Sequence, residues 1–163
     1  MLFTDALGWD ALGARIGVAV LAGLVIGWDR QRTGKPAGMR THMLVSLGSC
    51  LLVLVPLSMG AGAEAVTRVI QGVAAGVGFL GGGEIIHLRR DDQHEKIKGL
   101  TSAAAMWLTA SLGIIAACGL WRTTLLALAA ALTILILVKP LEMVLFPRRP
   151  PGAGAGTPGQ SRR

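Results

Sequence analysis

Five long apolar blocks, separated by short segments that hold most of the charge, constrain this chain more than any other feature. A hydrocarbon core about 30 Å thick is crossed by roughly 20 apolar helical residues. The blocks fall near Ala11–Trp28, His42–Gly60, Val66–Leu88, Leu100–Leu120 and Thr123–Val138. The last is short and open to extension at either end. Only 15% of the 163 residues are charged, against about 25% in soluble domains, so the chain lacks the polar surface to wrap itself in water. The expected fold class is an all-α membrane protein, a bundle of five transmembrane helices over residues 1–140. Residues 141–163 are expected to form a largely disordered basic tail, because PRRPPGAGAGTPGQSRR has almost nothing to bury. Pro56 lies near the end of the second block, where bundle neighbours re-satisfy the carbonyl that a proline frees.

The basic residues set an orientation. Arg30, Arg32, Lys35 and Arg40 fall in the first loop and Arg89, Arg90, Lys96 and Lys98 in the third, while Lys139, Arg148, Arg149, Arg162 and Arg163 follow the last block. The other side has only Arg15, Arg68 and Arg122. Cytoplasmic loops carry the excess of Lys and Arg, so the expectation is a multi-pass protein of a bacterial inner membrane, N-terminus outside and C-terminus in the cytoplasm. Met1–Asp10 has no Lys or Arg and carries Asp5 and Asp10, unlike the positive start of a cleaved signal. The first block is therefore expected to stay as a helix.

Several function classes fall away. The net charge of +7 is not gathered into a polar stripe with stacking partners, so nucleic acid is not an expected partner. Cys50 and Cys118 lie inside apolar blocks and form neither a spaced ligand set nor a disulfide framework. Gly76-Val77-Gly78-Phe79-Leu80-Gly81 matches a dinucleotide fingerprint in letters but lacks the strand and parallel sheet that give it meaning. No nucleophile elbow or zincin pattern is present, so neither catalysis nor a cofactor is expected. His87, Asp91, Asp92, His94 and Glu95 offer metal-type donors, but Arg89, Arg90, Lys96 and Lys98 oppose a cation there, which favours a solvated loop.

The third block is small on nearly every side: Gly72, Ala74, Ala75, Gly76, Gly78, Gly81, Gly82 and Gly83. Small residues four apart let helices approach closely in lipid, so this helix is expected at the bundle centre. Gly13 with Gly17 and Gly23 with Gly27 give the first helix a matching face, which makes it the expected direct neighbour. Two readings of Gly81–Gly83 stay open: close packing alone, or a break in the helix whose backbone ends hold an ion or small solute.

Ionisable groups gather at one depth: Asp29 and Arg30 end the first block, Arg40 and His42 open the second, Glu84 and His87 close the third, and Lys98 precedes the fourth. An intramembrane carboxylate is costly unless paired or hydrated. Glu84 is therefore expected to pair with Arg30 or Arg40 in a polar vestibule. The alternative is a set of interfacial side chains reaching to head groups.

Three ordered segments carry a family resemblance. Ile26-Gly27-Trp28-Asp29-Arg30-Gln31-Arg32, followed by Lys35-Pro36-Ala37-Gly38-Met39-Arg40-Thr41-His42, resembles the MgtC/SapB signature of an acidic-Arg pair and a KPAGxRTH loop. Gln71 and Gly72 through Gly83, with Gly76, Gly78, Phe79, Gly81 and Gly83, resemble that family's glycine-rich third helix. Lys98-Gly99-Leu100-Thr101-Ser102, with Trp107, resembles its fourth-helix entry. Asp29 stands where the family usually has Glu, and Glu84 where it usually has a small or apolar residue. The resemblance implies a five-helix inner-membrane protein linked to magnesium limitation and acting on other membrane proteins. The expected partners are the bilayer, another membrane protein and a second copy of the chain. The alternative expectation is an ion or small-solute transporter whose site faces the cytoplasm near Gly81–Glu84.

Overall fold

A computed structural model of the chain describes residues 7–90 and 99–138, together with Pro140, Leu141 and Leu145. Five helices follow one another: α1 (Trp9–Arg32), α2 (Met39–Ser58), α3 (Ala63–Arg90), α4 (Leu100–Ala117) and α5 (Trp121–Thr133), the last continuing as a π-helical turn over Ile134–Val138. All five are long and apolar enough to cross a membrane, counting α5 with its π turn. Each stops where a helix should. Gly119, at φ 72°, turns the chain after α4 in a conformation that side chains with a Cβ resist. Pro56 is buried inside α2, and its carbonyl accepts the Ala61 amide at 2.9 Å beyond the helix end.

The core is a three-helix arrangement of α1, α2 and α4. α1 lays Ala19, Ala22, Gly23, Ile26, Gly27 and Arg30 on its buried side, a stripe at helical spacing. Gly23 and Gly27 admit α2 so closely that an added Cβ would stand 2.6 Å from the His42 carbonyl oxygen and 2.6 Å from Met39 Cα, respectively. Gly113 does the same for α2 against α4, where a Cβ would lie 2.1 Å from the Ser46 carbonyl oxygen. Ser46 in turn donates to the Ala19 carbonyl at 2.7 Å, tying α2 to α1 where the backbones are closest. Interhelical hydrogen bonds in membranes contribute about 0.6 kcal/mol on average, so close packing, not the bond alone, holds this crossing. Ile26 and Leu112 are fully buried and join Ala131 of α5 in one apolar cluster.

At the end where α1 begins, Arg15 reaches inward and donates to the Ala117 carbonyl at 2.7 Å. It thereby caps the last turn of α4, the negative end of that helix dipole.

α3 is not central. It packs along α4, touches α2 over fewer residues, and makes no substantial contact with α1. Of the small residues of α1 that the sequence assigns to α3, Gly23 and Gly27 face α2 instead, and Gly13 and Gly17 are exposed with nothing within 4 Å of an added Cβ. A Cβ added at Gly72, Gly76, Gly78, Gly82 or Gly83 would meet nothing within 4 Å, and of the glycines in this helix only Gly81 abuts a neighbour, Ala103 at 3.1 Å. The proposed break at Gly81–Gly83 does not occur, because α3 runs unbroken from Ala63 to Arg90. Its glycines serve an outward surface, and composition alone does not say which way a small residue faces.

Candidate functional site

The ends of four helices meet at one pole of the bundle. Arg30 belongs to the last turn of α1, His42 to the first turn of α2, Glu84 to the later part of α3 and Ser102 to the first turn of α4. Arg30 continues the buried stripe of α1 at the spacing of Ala19, Ala22 and Ile26, so its side chain turns inward and is only 3% exposed. One guanidinium nitrogen donates to the Ser102 hydroxyl at 2.7 Å. His42 is fully buried, and its Nδ1 lies 2.9 Å from the Gly38 carbonyl. Since a carbonyl only accepts, Nδ1 carries a proton, and whenever the ring is neutral Nε2 presents a lone pair. Gly81, one turn before Glu84, rests against Ala103, which sets the Glu84 turn beside Ser102. Glu84 lies within electrostatic range of both Arg30 and His42.

Three buried atoms here have no hydrogen-bond partner among the described residues: Arg30 Nε, His42 Nε2 and Glu84 Oε1. An unsatisfied buried polar atom costs about 1–3 kcal/mol, and three of the four such atoms among the described residues lie at this pole, the fourth being Arg15 Nε. The set offers one donor and two acceptors beside a guanidinium. That complements a small hydrogen-bonding species better than a divalent cation, which Arg30 would repel. Among the described residues no three His, Cys, Asp or Glu side chains gather as metal ligands.

Glu84 makes no ion pair with Arg30 or Arg40. Arg30 turns to Ser102 instead, and Arg40 is exposed on the outer side of α2. The one salt bridge among the described residues joins Arg68 to Glu64 on the surface of α3.

A comparison of sequences adds the lineage. Residues 16–144 match the model of the MgtC family. The chain belongs to the MgtC/SapB family. SrpB of Synechococcus elongatus is 41% identical over 157 residues, 91% of this chain and 86% of SrpB. YhiD of Escherichia coli K12, whose name assigns it provisionally to magnesium transport, is 36% identical over 115 residues, 66% of this chain and 51% of YhiD. SapB of Bacillus subtilis is 32% identical over 138 residues, 80% of this chain and 56% of SapB. The chain thus spans most of SrpB but about half the length of the other two. No solved structure matches it.

The candidate residues singled out in the sequence separate into two groups. The first surrounds the buried pole. Arg30 and Glu84 lie in it, and Asp29 is half-buried beside it. Gly38 precedes α2 and lets Gln31 Oε1 accept the Met39 amide at 3.2 Å, since a Cβ there would come 2.8 Å from that oxygen. Thr41 is half-buried in the first turn of α2, and Gly99 opens α4 at φ 97°. The second group faces outward: Arg40, Gln71, Gly72, Gly76, Gly78, Phe79, Gly83, Thr101 and Trp107 are exposed, Phe79 to 83%. Gly81 is the exception in α3, buried against α4. Lys98, the loop from Asp91 to Glu95 and most of the tail lie outside the described residues. Sequence reading misses Ser102 as the partner of Arg30 and Gly113 as the closest helix contact. The four-residue repeat of Ala105, Thr109, Gly113 and Ala117 carries the signal for the second.

Proposed function

We propose that this MgtC-family protein is a noncatalytic inner-membrane protein that modulates partner membrane proteins in magnesium or membrane-energy homeostasis. The observation that carries the reading is an exposed seam of small residues and one amide on α3. Gln71, Ala75, Gly78 and Gly82 are spaced four, three and four residues apart, which puts them on one face of a helix. Gln71, Ala75 and Gly78 are exposed, and nothing lies within 4 Å of a Cβ added at Gly78 or Gly82. Gln71 sits about 12 Å into the helix, in an apolar span, with no hydrogen bond to any described residue. Small residues let a second helix approach, and an intramembrane amide bonds across helices. A partner helix satisfies both. The N-out, C-in orientation belongs to the same reading and rests on the basic loops.

The test is a photoreactive residue at Ala75 in native membranes. Crosslinks to another membrane protein are expected there and not at the exposed Leu126 of α5. Equal crosslinking at both positions overturns the reading. A second reading, transport of an ion or small solute, draws on the three unpartnered atoms of Arg30, His42 and Glu84 and on the name of YhiD. Magnesium flux into liposomes holding only the purified protein decides for transport.

A further inference from the structure

A second surface lies on the other flank of α3, where that helix diverges from α2. The two helices enclose a groove of about 610 Å³. Leu44, Gly48 and Leu52 form its wall on α2 and Gly72, Gly76 and Leu80 its wall on α3, both rows at four-residue spacing. Eight residues of helix make the groove about 12 Å long. Its wall is apolar throughout, because the Ser49 hydroxyl that borders it is already bonded to the Val45 carbonyl at 2.8 Å.

The mouth of the groove is charged. Arg40, Leu44, Gly48 and Leu52 continue a single row along α2, with Arg40 one turn beyond the apolar part. Arg40 is exposed and has no carboxylate partner among the described residues. The first turn of α2 holds no acidic residue, and a helix N-terminus is the positive end of its dipole. The nearby carboxylate, Glu84, has its Oε1 buried and lies within range of Arg30 and His42. At this end of α3, a Cβ added at Gly83 would meet nothing within 4 Å among the described residues.

We propose that the α2–α3 groove binds an anionic phospholipid, one acyl chain lying between Gly48 and Gly76 and the phosphate held by Arg40. This site is separate from the α3 seam and does not depend on it.

Native mass spectrometry of the detergent-purified protein, titrated with phosphatidylglycerol or with phosphatidylcholine of the same chains, tests the assignment. The parent should retain phosphatidylglycerol in preference. Arg40→Gln should cut that preference about fivefold, since a basic residue near the membrane surface contributes about 1 kcal/mol toward anionic lipid, and Arg40→Lys should keep most of it. Gly76→Leu, whose side chain enters open space, should lower retention of both lipids, while Gly78→Leu on the other flank should not. An unchanged lipid preference in Arg40→Gln overturns the proposal, as does unchanged retention in a folded Gly76→Leu protein. If Gly76→Leu fails to fold, the Arg40→Gln and Arg40→Lys pair decides alone. A parent that runs as a dimer, dissociated by Gly76→Leu with lipid retention unchanged, assigns the groove to a second copy and also overturns it.

Discussion

Gly113 and Gly76 should respond in opposite ways to the same substitution. A Cβ at Gly113 would stand 2.1 Å from the Ser46 carbonyl oxygen, some 1.3 Å short of the 3.4 Å at which ordinary van der Waals contact begins. The obstacle is backbone, so no rotamer change relieves it, and α2 and α4 must separate. Overpacking of this kind costs about 1–3 kcal/mol. Moving α2 also strains the 2.7 Å bond from Ser46 to the Ala19 carbonyl, a further loss of about 1 kcal/mol. Gly113→Ala should therefore destabilise by about 1–3 kcal/mol in all, after the roughly 1 kcal/mol that alanine returns in helix propensity. Gly76→Ala meets nothing within 4 Å and keeps only that propensity gain. The assay is reversible unfolding in mixed detergent micelles, followed by helical circular dichroism. If Gly113→Ala unfolds at the same denaturant level as the parent, or Gly76→Ala is the less stable of the two variants, the arrangement of α2, α3 and α4 is wrong.

The buried pole allows a coupling measurement: Ser102→Ala should cost about 1.5–3 kcal/mol as the acceptor of a charged donor, and a cycle with Arg30→Gln should show coupling of similar size. Glu84→Gln and Arg40→Gln should instead add within about 0.5 kcal/mol, as separate sites do; strong coupling in that cycle would restore the ion pair that the structure replaces. For orientation, a reporter active only in the periplasm should work when fused at Ala61 or Leu120 and fail at Lys35, and activity at Lys35 would reverse the topology.

The five spans were legible because crossing a bilayer demands length and apolarity, and both are properties of the sequence alone. The boundaries moved by a few residues: α1 starts at Trp9 instead of Ala11, and α4 stops at Ala117, three residues before Leu120. Neighbour relations were harder to read. The third helix has many glycines, most of them facing outward, whereas a single glycine in α4 makes the tightest approach of any glycine among the described residues. Smallness permits approach but names no partner. Periodicity held more than was drawn from it, since Ala19, Ala22, Ile26 and Arg30 lie on one stripe, and that stripe turns Arg30 inward. The pairing of Arg30 with Ser102 needed coordinates, because the two are 72 positions apart and bonded only through the way α1 and α4 cross.

The order of the helices in the core differs from their order of synthesis. α1 and α2 emerge first and already fit each other through Gly23 and Gly27, but both also pack against α4, the fourth helix to leave the ribosome. Until it arrives, Arg30 lacks its hydroxyl partner and the Ser46 backbone faces lipid. A nascent chain halted after α3 thus leaves Arg30 without the Ser102 hydroxyl that accepts from it in the folded bundle.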